Sequence, residues 1–79
     1  MARGEGLLLR PASSIHTFFM RFPIDVVFLD EEMRVLRVVS KLGPWRAVGR
    51  RGARSVLELA AGECERRGLR APERLELIG

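Results

Sequence analysis

The sequence has one cysteine, Cys64, and one histidine, His16. The first excludes an internal disulfide, and the second excludes a metal site of the usual multi-histidine kind. Long apolar runs are missing. The longest is four residues, 26–29, far short of the roughly 20 that a membrane-spanning helix needs. The opening residues, Met1-Ala2-Arg3-Gly4-Glu5-Gly6, lack the apolar core of a signal peptide, so a cytoplasmic location is expected. Neither a G-x-G-x-x-G nor a P-loop occurs, and no cofactor is expected. Nucleic-acid signatures such as an RRM motif, a zinc finger or a GXXG loop are also missing.

What is present is a chain of 79 residues, 47% hydrophobic and 30% charged, which reads as one globular domain, 1–79. With neither disulfide nor evident metal, nearly every apolar side chain is needed for the core. Phe18, Phe19, Phe22 and Phe28 are therefore expected to pack at one centre, with Met20 and Met33 as fillers. Residues 6–10 read as a first strand stopped by Pro11, and Ala12-Ser13-Ser14 as a turn or helix cap. Residues 15–22 fit a strand, or one helical turn followed by a strand. Residues 24–29 are β-branched and aromatic, the composition of a buried strand. Asp30-Glu31-Glu32 is a polar turn, and residues 33–40 return as its hairpin partner. Alternation there places Met33, Val35, Arg37 and Val39 on one face, with Arg34, Leu36, Val38 and Ser40 on the other.

Residues 41–52 read as loop, and 54–60 as another strand with Ser55, Leu57 and Leu59 on one face. Residues 62–67 read as a short helix ending at Gly68, with acids in its first turn and arginines in its last. A last strand is expected over 74–78. The sum is a mainly β, small α+β fold: a compact five- to six-stranded barrel-like or coiled antiparallel sheet with one short helix.

Charge is uneven. The net charge is +4, and residues 33–57 hold Arg34, Arg37, Lys41, Arg46, Arg50, Arg51 and Arg54 without an acid. Trp45 lies within this stretch. Cations beside an aromatic suit phosphates and a stacked base, which gives a nucleic-acid reading through Lys41, Arg46, Arg50, Arg51 and Arg54. A solvated basic face in an arginine-rich protein is the plainer alternative.

The run from His16 through Phe18-Phe19-Met20-Arg21-Phe22-Pro23-Ile24-Asp25 to Asp30 is distinctive. Pro44-Trp45 follows it, and then Ala53-Arg54-Ser55-Val56-Leu57-Glu58-Leu59-Ala60-Ala61-Gly62. In this order the three motifs resemble the bacterial and archaeal family called domain of unknown function family 192. The resemblance runs from Gly6 to Leu77 and implies one compact, mainly β domain with no established activity. The family's Gly-Asp turn before the last strand is replaced by Arg70-Ala71-Pro72-Glu73, and a turn needing a left-handed glycine cannot be built the same way with proline.

Several residues invite two readings. Asp25 interrupts an apolar strand, so it anchors a ligand or Arg21, or serves as a structural salt-bridge or turn residue. Glu58 alternates away from the leucine face and is either part of a site or simply outward-facing. Arg21 and Arg46 are able to grip a carboxylate or phosphate bidentately, or to pair with Asp25 or Glu58. Trp45 is a pocket wall or a core residue. Cys64, flanked by acids, reads as an inert, partly buried thiol. The leading expectation is a non-enzymatic domain whose rim cluster, Arg21, Asp25, Trp45, Arg46 and Glu58, binds a small anionic ligand or a partner segment. A nucleic-acid module is the alternative, and a hydrolase built on His16 and Asp25 is a third. No metal site is expected, and the chain is a monomer or a homodimer.

Overall fold

A computed structural model describes residues 6–18 and 21–75. The chain order is β1 (Gly6–Leu9), β2 (Ser14–His16), β3 (Ile24–Leu29), β4 (Val35–Leu42), β5 (Ala47–Gly49), β6 (Ser55–Ala60) and α1 (Glu63–Arg67). Four strands form an antiparallel sheet in the order β1-β6-β3-β4, and β2 pairs with β5 in a second, two-stranded sheet. The fold is mainly β, and among the described residues the sheet does not close into a barrel.

The two apolar stretches without turn residues became the two central strands. β3 is buried at every position, and β6 at every position but its last. Their alternation divides the core between the two faces of the sheet. On one face Ile24, Val26, Phe28 and Val56 pack with Ile15 of β2, and Val48 of β5 lies against them. On the other, Val27, Leu29, Leu57 and Leu59 pack with Val35 and with Cys64 of α1. The small sheet thus covers one face and the helix the other. Each fully buried Val, Leu, Ile or Phe among them contributes about 1.5–3 kcal/mol relative to exposure.

The β3–β4 hairpin forms as its composition requires, with Asp30 Oδ1 accepting the Glu32 and Arg34 N–H groups at 2.8 and 2.9 Å. The expected faces of β4 do not hold. The ladder slips between Phe28 and Leu29, where Phe28 faces Arg37 but Leu29 faces Val35. This bulge inserts an extra residue and reverses the alternation. As a result Val35 and Val38 join the helix-side cluster and Leu36 and Val39 the other, and a second slip, between Ile24 and Val26, brings Leu42 to that other side as well.

Other expectations are also corrected. Phe28 is buried, but Phe18 and Phe22 are 41% and 47% exposed, so the phenylalanines do not share one centre. Phe19 and Met20 lie outside the described residues. The stretch 41–52 is not all loop, because β5 forms within it. Of the described residues in 15–22, only Ile15 and His16 are strand, as part of β2. Of the last strand, Arg74 bridges to Arg34, and residues 76–79 lie outside the described residues. The turn before it uses a cis Ala71–Pro72 bond, and Glu73 N–H closes it onto the Arg70 carbonyl at 3.0 Å.

Candidate binding surface

Asp25 is wholly buried on the helix side of β3. Its Oδ1 accepts the Lys41 N–H at 2.8 Å, and its Oδ2 accepts the N–H groups of Gly62 and Cys64 at 3.0 and 2.9 Å. The carboxylate therefore caps α1 from a distant strand, satisfying amides that the helix itself leaves open. It also holds the bend of β4 where Lys41 has a left-handed φ of 53°. Arg21 is not among its hydrogen-bond partners. An aspartate so enclosed is a fastening of the fold and does not face solvent as a general base would.

Glu58 does point away from the leucine face, but that face is covered too. It is only 6% exposed, across from Leu7 of β1 and Val26 of β3. Burial raises its pKa above the ordinary carboxylate value. The outward-facing reading fails because the side of the sheet that Glu58 shares with Val26 is covered as well.

Glu63 receives Arg66 Nη2 at 2.6 Å and Arg67 Nε at 3.0 Å. The hydrogen bond from Arg66 is foremost in pulling its pKa down to about 2. The Cys64 thiol is pushed up to about 12, first by burial and then by the Asp25 charge. Its neighbours in sequence were expected to disfavour the thiolate in a partly buried thiol; Cys64 is instead fully buried, and Glu63 contributes less than burial and Asp25 do.

The remaining candidates, Arg21, Trp45 and Arg46, are exposed. Trp45 is 67% exposed, which overturns its reading as core. Its backbone has φ 61°, a left-handed conformation that bulky residues rarely adopt. Buried Thr17 enforces it. Thr17 Oγ1 donates to the Gly43 carbonyl at 2.7 Å and accepts the Arg46 N–H at 2.9 Å. The Thr17 N–H donates to the Arg46 carbonyl at 2.8 Å, and the Trp45 N–H donates to the Thr17 carbonyl at 2.9 Å. The indole consequently stacks on exposed Phe18, with ring centroids 5.9 Å apart and planes at 21°. Phe18 in turn meets His16 at 5.2 Å.

Five sequence candidates thus divide into two buried carboxylates and three exposed groups, and the rim cluster is not one assembly. Phe18 and Thr17, which build the surface, were missed as site residues; the signal was the alternation of His16, Thr17 and Phe18 around an inward threonine. In the basic stretch, Lys41, Arg46, Arg50, Arg51 and Arg54 are all exposed. Arg54 shares a depression with Asp30, Glu31 and Glu32, so acidic groups border that end of the stretch. Among the described residues no group of three or more His, Cys, Asp or Glu side chains is placed to hold a metal. No described helix is long and apolar enough to cross a membrane.

Two curated archaeal proteins match part of the chain. The UPF0127 protein PH1112 of Pyrococcus horikoshii is 47% identical over 47 residues, 58% of this chain and 40% of that protein. The UPF0127 protein PYRAB11210 of Pyrococcus abyssi is 45% identical over 51 residues, 63% of this chain and 43% of that protein. The matched segments thus span less than half the length of these relatives. A crystal structure of a protein of unknown function from Novosphingobium aromaticivorans has the same fold, with a TM-score of 0.84 at 20% identity. The match covers 98% of this chain and 60% of that one. The model of domain of unknown function family 192 (DUF192, "Uncharacterized ACR") matches residues 1–77, and the chain belongs to that family.

Proposed function

We propose that the chain is a non-catalytic binding module that holds a small anionic ligand bearing a flat ring. The ring stacks on the Trp45–Phe18 ledge, and the anionic group pairs with the Arg46 guanidinium. The observation that carries this reading is Trp45 itself. A tryptophan in a left-handed backbone conformation, two-thirds exposed and fastened from beneath by a buried threonine, is costly to the fold. Such strain gathers where a side chain must be presented to something else. Arginine suits the anion because its planar fork pairs bidentately with carboxylate or phosphate.

Trp45 is the only tryptophan, and the chain has no tyrosine, so its fluorescence reports the ledge directly. A nucleoside monophosphate is expected to quench it saturably, inorganic phosphate to leave it unchanged, and Arg46→Ala to weaken binding about tenfold. Absence of quenching by the nucleotide overturns the reading.

A nucleic-acid module is the second reading, favoured by the exposure of Lys41, Arg46, Arg50 and Arg51, none of which makes an ion pair among the described residues. It requires a single-stranded oligonucleotide to bind far more tightly than the monophosphate, with affinity falling steeply as salt rises. Equal affinity for the two would remove it.

A further inference from the structure

A second charged site lies among residues that the aromatic ledge does not use. Arg10 and Pro11 after β1, Asp30 and Glu31 after β3, and Arg54 and Ser55 at the start of β6 line a cleft of about 310 Å³. Backbone bonds hold its three walls together. The Ala12 N–H donates to the Arg54 carbonyl at 3.0 Å, and the Arg54 N–H donates to the Leu29 carbonyl at 2.8 Å. Asp30 is fixed by its own turn, through Oδ1.

Four charges of balanced sign therefore face one cleft, yet none forms an ion pair with another. Among the described residues the Arg54 guanidinium and the Glu31 carboxylate make no side-chain hydrogen bond. Arg10 Nη2 donates at 3.1 Å only to the Met33 sulfur, a weak acceptor. Arg54 also borders two adjoining depressions.

Opposite charges brought to one cleft and kept apart leave room for a group between them. An anion alone would be repelled by Asp30 and Glu31, and a cation alone by Arg10 and Arg54. A ligand carrying both charges meets neither penalty. The volume lies at the small end of the range for ligand sites, which suits a compact molecule and not a dinucleotide. We infer that this cleft binds a small zwitterion of the α-amino-acid class, its carboxylate toward Arg10 and Arg54 and its ammonium toward Asp30 and Glu31.

The test is an NMR titration of the full chain at neutral pH, following the arginine Nε–H signals and the amides of residues 30, 31, 54 and 55. The probes are L-alanine, acetate and methylammonium. L-Alanine is expected to shift the Arg10, Arg54 and Glu31 signals saturably, with each half-ligand at least about tenfold weaker. Arg54→Gln and Glu31→Gln are each expected to weaken L-alanine about tenfold. Both variants keep the backbone bonds that build the walls, and their amide spectra show whether the fold is retained. Acetate or methylammonium matching L-alanine overturns the inference. So do unchanged affinity in both variants and the absence of any shift up to about 50 mM.

Discussion

The three backbone amides gathered by Asp25 come from β4, the approach to α1 and α1 itself, so one side chain joins three elements. Replacing it with alanine leaves those N–H groups without their acceptor, and at least one bond is fully buried. Asp25→Ala is expected to lower stability by about 3–5 kcal/mol, a large share of what so small a domain has. Asp25→Asn retains one oxygen acceptor and should lie between the two. Urea unfolding measures both, and an unchanged midpoint for Asp25→Ala would refute the fastening role. At the same scale, composition announced that Asp25 needs a partner. It did not name which, because backbone amides leave no mark in sequence.

Among the elements, β3, β6, α1 and the β3–β4 hairpin were legible, each for a local reason. Two had runs rich in β-branched residues and leucine with a single acid in each, one had a charge gradient ending in glycine, and one had a polar turn between apolar stretches. β5 was not legible, because its pairing partner β2 lies far away in the chain and its own residues are an unremarkable Ala-Val-Gly. The bulge in β4 was equally hidden, since alternation presumes an even ladder. The exposure of Phe18, Phe22 and Trp45 contradicts their hydrophobicity, which states a preference for burial and not its location. The candidate site was legible only in part, through Trp45 and Arg46. Its support by Thr17 depends on a hydrogen-bonded link between β2 and the loop before β5. Thr17→Val keeps the shape but deprives the Arg46 N–H of its acceptor, at an expected cost of about 1–3 kcal/mol. The loop then releases Trp45, and its emission maximum should move. An unaltered spectrum together with unaltered stability would show that the threonine does not hold the ledge.

For the molecule as a whole, two acids give opposite slopes to stability against pH. Glu63 is depressed to about 2, so its contribution is present above the ordinary value near 4.5 and is lost as pH falls through about 2. Glu58 is raised; the unfolded chain gives up this proton first, and stability falls as pH rises from about 4.5 through the folded value. Glu63→Gln is expected to flatten the acid limb of a thermal-melt profile, and Glu58→Gln the limb above it. Failure of either limb to flatten would contradict that assignment. The strand order β1-β6-β3-β4 also sets which loops must close for the sheet to form. Only the β3–β4 hairpin joins neighbours in the chain, with Leu29 facing Val35, whereas β1 waits for β6, where Gly6 faces Leu59. Closing that longest loop is expected to come last, and deuterium exchange should find the amides paired between β1 and β6 opening before those paired between β3 and β6; equal protection of the two ladders would refute that order.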